Sequence, residues 1–146
     1  MILPIDIIDY AEAIRDLARE NWAESGLGFE LDIDFETYCE LQVSGQMFAL
    51  GAFADHGAML GYAAVAVGPS LYNKTFIYGQ SDTLFVQKPH RCGTLPGRLI
   101  LAAEEEAKSR GARLMLWQVG IADTGLAAAF ERRGCVQIDR AYSRWL

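Results

Sequence analysis

The stretch from Ser81 to Gly111, SDTLFVQKPHRCGTLPGRLILAAEEEAKSRG, most constrains the fold, because it reads as strand, glycine-bearing turn and helix in one run. Thr83, Leu84, Phe85 and Val86 are apolar or β-branched and suit the end of a buried strand. Pro89 has no N–H to give a ladder and stops it. The turn Arg91-Cys92-Gly93-Thr94-Leu95 follows, and Pro96 suits the first turn of a helix. Leu99, Ala102, Ala103 and Ala107 recur at helical spacing, while Glu104 with Lys108 and Glu106 with Arg110 are spaced as i,i+4 ion pairs. Gly111 marks the stop.

A glycine-bearing turn that feeds a helix presents free backbone N–H groups and the positive end of the helix dipole, which suits a phosphate or pyrophosphate. Arg91 and Arg98 flank the turn and would add charge-assisted contacts to the same anion. The competing reading is an ordinary strand-to-helix turn with two solvated arginines. No GK[ST] closes the turn, which excludes a P-loop, and the glycine spacing does not match a dinucleotide-binding fingerprint.

Phe85, Val86, Pro89, His90, Arg91, Gly93, Gly97 and Leu99 resemble the acyl-CoA pyrophosphate loop of GNAT-superfamily N-acetyltransferases, V-x-P-x-x-R-G-x-G-x-G. Cys92 stands where that loop commonly has glycine, and the run R-C-G-T-L-P-G-R is closer to a variant of short phage- and prophage-type GNAT proteins. Downstream, Ala127 to Cys135 (AAAFERRGC) resembles the superfamily's A-x-x-Y-E-K-x-G-F segment. The resemblance covers about Gln46 to Leu146. It implies an α+β fold with a mixed, mostly antiparallel sheet flanked by helices, and acetyl-CoA as acyl donor.

Composition agrees with one globular domain, residues 1–146, large enough to bury a core: 51% of residues are hydrophobic. No apolar run approaches the roughly 20 residues that span a bilayer, and MILPIDIIDYAEAIRD lacks a basic leader, so the expectation is a soluble cytoplasmic protein. Cys39, Cys92 and Cys135 are odd in number and widely spaced, which reads as reduced thiols. His56 and His90 have no ligand-like spacing, so no metal is expected. A net charge of −6 disfavours a broad nucleic-acid-binding face.

Along the chain, Ile5 to Asn21 carries helical periodicity, with a short strand in Met1–Ile7 left open. Trp22 to Asp34 reads as an irregular acidic loop, and Asp34 as the N-cap of a helix over Phe35 to Val43. Gln46 to Ala54 and Ala58 to Gly68 form a hairpin around Asp55-His56-Gly57, and Phe76 to Val86 is the third strand of the meander. Arg113 to Val119 is nearly continuously apolar, as a strand buried on both faces would be. Asp123 or Thr124 caps a last helix ending at Gly134, and Val136, Ile138, Arg140 and Tyr142 alternate in a final strand. The expected order is α–α–β–β–β–α–β–α–β.

The GNAT resemblance implies that Phe85 and Val86 lend backbone groups to the pantetheine arm, and that Arg91, Cys92, Gly93, Thr94, Leu95, Pro96, Gly97 and Arg98 hold the pyrophosphate. Acetyl transfer to an amine needs a neutral nitrogen, so a base must take a proton. Asp82 is a charge out of place in an apolar strand: either a base or amine anchor, or an edge carboxylate paired with a lysine or arginine. Glu24 and Glu30 are weaker candidates. Many GNAT enzymes protonate the leaving thiolate with a tyrosine where this chain has Phe130, so Tyr142, Tyr78 or Tyr72 would substitute, with Tyr142 first, or the thiolate leaves without a dedicated acid. Cys92 beside Arg91 at a helix N-terminus reads as a packed thiol or, less simply, an acyl-cysteine nucleophile.

Two readings follow. The first is an acetyl-CoA-dependent N-acetyltransferase acting on a primary amine, with a small or cationic acceptor favoured by the acidic Trp22–Asp34 segment. The second is a non-catalytic acyl-CoA-binding or partner-binding module that keeps the loop and lacks the acid. A homodimer is compatible with either, since the apolar C-terminal strand would pair across an interface.

Overall fold

The run MFALGAF of β2 (Met47–Phe53) is buried at all seven positions, so this strand must have packed layers on both of its faces. In the computed structural model, which describes residues 1–146, it is the second strand of a five-stranded sheet ordered β1-β2-β3-β4-β5. β1 (Ile2–Pro4), β2, β3 (Met59–Ser70) and β4 (Asn73–Val86) pair antiparallel, and β5 (Leu114–Leu116) joins β4 in parallel. A parallel neighbour needs a crossover, and α3 (Leu95–Ser109) provides it.

Each sheet face has its own apolar cluster. Ile14 and Leu17 of α1 (Ala11–Ser25) pack with Phe53, Tyr62 and Phe85 on one face, flanked by Phe35, Tyr38 and Leu41 of α2 (Phe35–Val43). Leu99, Ala103 and Ala107 of α3 pack with Phe48, Val65 and Val86 on the other. Leu99 is wholly buried, a contribution of about 1.5–3 kcal/mol for a side chain of this size. α4 (Thr124–Arg132) places Phe130 against Trp117, ring centroids 5.3 Å apart.

Several expectations match the structure. Asp34 accepts from the Thr37 N–H at 2.9 Å and caps α2, and Asp123 accepts from the Leu126 N–H at 3.0 Å and caps α4. Gly57 turns the β2–β3 hairpin with φ +90°, a conformation that side chains disfavour.

Other expectations are corrected. The first helix begins at Ala11, not Ile5, and runs to Ser25, so Trp22 and Glu24 are helical. Ile5 and Ile7 alternate with exposed Asp6 and Ile8, which is a strand-like period, and Ile5 N–H donates to the Ala49 carbonyl. A strand does open the chain, as β1. The Arg113–Val119 strand shrinks to Leu114–Leu116, with Leu114 45% exposed: apolarity gave it a partner on one side only. The final strand over Val136–Ser143 does not form, because alternation prepares a face but pairing needs a free sheet edge within reach. Glu104 bonds Trp117 and Arg133 instead of Lys108, whereas Glu106 and Arg110 do pair, at 2.7 Å.

Candidate functional site

β4 and β5 run together only from Tyr78 to Gln80. The Ser81 hydroxyl, 3% exposed, accepts from the Gln118 N–H at 2.9 Å and pins the last shared point. Past it the two strands part. Gln87 N–H donates to the Leu60 carbonyl, so by the alternation of an antiparallel ladder Phe85 turns its backbone toward β3 while Leu84 and Val86 face the vacated side. A row of strand groups therefore lines an open edge, a geometry that receives an extended amide chain.

The β3–β4 register shifts between Ala64 and Val65, which face Thr83 and Ser81, leaving Asp82 as the extra residue of a bulge. The bulge exchanges the faces of β4. Gly79 lies beside Ala107 and Val65 on the α3 face, yet Phe85 belongs to the α1 face. Asp82 and Thr83 both line a cavity of about 240 Å³ under α1 and α2. Its walls are largely apolar, with Ile7, Ile14, Leu31 and Ile33 among them.

The Tyr38 hydroxyl donates to Asp82 Oδ2, and the Thr83 hydroxyl donates to the same oxygen at 3.1 Å. None of the ion pairs in the molecule includes Asp82. Burial, then the hydrogen bond and charge of Asp82, push the Tyr38 phenol well above its ordinary range. Burial, reinforced by the Asp82 charge, pushes Tyr62 up to about 12. Both phenols stay protonated at neutral pH. Tyr38 escaped the sequence reading, since its only signal was a polar tip on the inner face of α2.

The turn before α3 is built differently from the other capped helix starts. Thr94 occupies the N-cap without a side-chain bond, so the N–H groups of Leu95 and Gly97 have no protein acceptor. A Cβ built on Gly93 or Gly97 meets no atom within 4 Å, which leaves the outer side of the turn open. Arg98 is exposed and unpaired. Arg91 donates from Nε to the Val86 carbonyl at 2.6 Å, from Nη1 and Nη2 to Glu24 at 2.8 and 2.9 Å, and lies 5.1 Å over the Phe85 ring. The bonded guanidinium holds the Glu24 carboxyl below the usual carboxylate range.

No family model matches the sequence, and no curated protein matches it significantly. Solved structures do match over the whole chain. A ribosomal-protein-alanine N-acetyltransferase from Brucella melitensis biovar Abortus 2308 is 17% identical, with TM-score 0.70, over 100% of this chain and 99% of that one. An acetyltransferase from Trypanosoma brucei is 13% identical, with TM-score 0.76 and coverages of 100% and 99%. The aminoglycoside N-acetyltransferase AAC(6')-Iy, in complex with the bisubstrate analogue CoA-S-monomethyl-acetylneamine, is 18% identical, with TM-score 0.76 and coverages of 100% and 97%. The fold is the GNAT acetyltransferase fold.

Within the GNAT fold the candidate residues fall into separate groups. Phe85, Val86 and Arg91 converge at the mouth of the split, and Cys92, Gly93, Thr94 and Arg98 are exposed on the turn with Leu95, Pro96 and Gly97 half-buried behind them. Asp82 lies further up β4, in the cavity. Tyr142 is 88% exposed in the C-terminal segment and makes no hydrogen bond, so the structure does not bring it to Asp82. Tyr72 is fully exposed in the β3–β4 turn, Tyr78 sits in the ladder opposite Leu114, and Phe130 is buried. Cys39, Cys92 and Cys135 are unbridged, and no helix is long and apolar enough to cross a membrane.

Proposed function

We propose that this chain is an N-acetyltransferase that moves an acetyl group from acetyl-CoA to a primary amine, its residues 1–146 acting as one GNAT domain. The observation that carries the reading is the junction of an open strand edge at Leu84 and Val86 with an uncapped, glycine-lined helix start at Gly93–Gly97. The first suits a pantetheine arm and the second a pyrophosphate. Arg98 adds a free cation, and Arg91 a second once Glu24 yields it. The variant glycine spacing of phage- and prophage-type loops is part of this reading and rests on the sequence of the turn alone.

When bound, the thioester supplies the carbonyl carbon that the amine nitrogen attacks, and the C–S bond breaks with its electron pair leaving on sulfur. Asp82 anchors the incoming ammonium and takes its proton, directly or through water, to give the neutral nucleophile. Tyr38 and Thr83 hold the carboxylate by one oxygen and leave Oδ1 for the substrate. Phe130 carries no proton, so the sulfur is protonated by Tyr142 or by solvent; thiols, with pKa about 8.5, tolerate the latter. No metal enters the scheme. Free cysteines favour the cytoplasm as its place, and exposed Val136 and Ile138, whose alternation prepares a strand, favour a homodimer that pairs them.

The test is calorimetry of acetyl-CoA with the purified protein, with free CoA followed in the same sample as amines are added. Micromolar binding with amine-dependent CoA release is the expected result. Binding with no release for any amine would select the non-catalytic acyl-CoA-binding alternative, which the buried Phe130 favours. Absence of binding would overturn both.

A further inference from the structure

The acetyltransferase reading leaves the acceptor unnamed, and the Asp82 cavity narrows it. Three observations bear on it together. The carboxylate receives its two protein bonds on Oδ2, from Tyr38 and Thr83, and Oδ1 has no donor. Asp82 has no lysine or arginine partner, and it is the one charged side chain in the cavity lining. The remaining wall is largely apolar or aromatic, with Ile7, Ile14, Trp22, Leu31 and Ile33 in it, and is uncharged but polar at Asn21, Ser25 and Thr83. At the α1 end the Ser25 hydroxyl bonds the Asn21 carbonyl at 3.0 Å and the Asn21 Oδ1 at 3.2 Å, which leaves the Asn21 amide N–H groups as the donors on that side.

Asp82 is exposed, so its open oxygen is within reach of a cation arriving from solvent, and as the one charge on the wall it pairs with one cation. No other side chain on the wall is charged, so a second cation would find no counter-ion there. The volume, about 240 Å³, lies below the roughly 300–1,000 Å³ of sites that enclose drug-sized ligands, so the guest is small or enters by one end. Trp22, held by its Nε1–H on the Phe29 carbonyl at 2.9 Å, and the rings of Phe29 and Trp145 extend the apolar surface outward from this wall.

We infer that the acceptor is a monoamine with an apolar body, of the alkylamine or arylalkylamine class, bound with its ammonium on Asp82 Oδ1 and its body against Ile14, Trp22 and Ile33. This inference rests on the acetyltransferase reading for its chemistry, while the binding itself does not require turnover. The attacking nitrogen then lies on the β4 side of the cavity, next to the bulge from which the open edge of Leu84 and Val86 begins.

The experiment titrates 2-phenylethylamine into the full-length protein in the presence of CoA, alongside the isosteric alcohol 2-phenylethanol, the polycation spermine and the aminoglycoside kanamycin. Binding of 2-phenylethylamine about tenfold or more tighter than the alcohol is expected, with the gap closed by Asp82→Asn. Spermine and kanamycin should bind more weakly than the monoamine. Equal binding of amine and alcohol, or a preference for either polycation, overturns the inference. Tyr38→Phe keeps the carboxylate and should retain the preference for amine over alcohol, which guards against misreading a folding defect in the Asn variant. CoA release with kanamycin alone would reject the monoamine while leaving the acetyltransferase reading intact. Monoamine binding on Asp82 in a protein that does not bind CoA would do the reverse.

Discussion

Arg91 holds Glu24 with both terminal nitrogens, at 2.8 and 2.9 Å, and so ties the last turn of α1 to the turn that opens α3. Glu24 adjoins Ser25 of the cavity lining, and Arg91 also bonds the Val86 carbonyl at the strand edge. A pyrophosphate on this turn would have to share or take the guanidinium from the carboxylate.

Glu24→Gln removes the competing charge. The pair is about two-fifths exposed, 34% on the Arg91 side chain and 43% on Glu24. Exposed ion pairs contribute about 0.2–1 kcal/mol, so the variant should bind CoA up to about fivefold tighter with little change in melting temperature. Calorimetry decides it, and weaker or unaltered binding would remove Arg91 from the anion site.

Gly93→Glu brings a side chain and a negative charge to the open side of the turn, where nothing lies within 4 Å of the new Cβ. The fold should therefore persist, with an unchanged circular dichroism spectrum, while CoA binding is lost. Retained affinity would rule out the pyrophosphate loop.

Asp82→Asn keeps the shape and loses the charge. CoA affinity should stay within about threefold while turnover falls about 100-fold or more, the lower end for a lost general base. Steady-state kinetics with undiminished turnover would take Asp82 out of the mechanism.

Gly61→Ala tests the strand edge itself. The new Cβ would press on the Phe85 carbonyl oxygen and lie 2.9 Å from the Val86 Cα, so backbone must move. Overpacking of this kind costs about 1–3 kcal/mol, read by chemical denaturation. Cofactor binding should weaken beyond what stability explains, since the displaced residues frame the split. A variant as stable and as tight as the parent would contradict the packing described.

Alkaline stability follows from the tyrosines. Tyr62 is raised from 10.0 to about 12 by burial and the nearby Asp82 charge. Below pH 10 both folded and unfolded chains keep the proton, and the full contribution is present. Between pH 10 and about 12 only the unfolded chain ionises, so stability is lost across that interval. Denaturation midpoints stepped through this range should fall, and Tyr62→Phe should flatten the fall. An equal decline in the variant would place the loss elsewhere.

Much of the fold was legible because it is written locally. Asp34, Asp123, Gly57 and Gly111 act within a few residues of where they stand, and the Ser81–Gly111 run carries its own turn and helix signals. What the sequence hid depends on distant partners. The Tyr38–Asp82 bond joins residues 44 apart, and Glu24–Arg91 joins residues 67 apart. The C-terminal alternation of Val136, Ile138 and Tyr142 was visible, but whether an edge awaited it was not, since only the register of β4 and β5 decides that.

The bulge at Asp82 gives β4 a reading frame. Upstream of it one parity of residues packs under α3, and downstream the opposite parity does, so Phe85 and Thr83 reach the acceptor side only because one residue is out of step. Such a strand forgives changes of side chain better than changes of length. Removing one residue past the bulge, between Thr83 and Phe85, would turn Phe85 toward α3 and Val86 toward the cavity, whereas removing Asp82 itself would restore a regular ladder and leave both where they are.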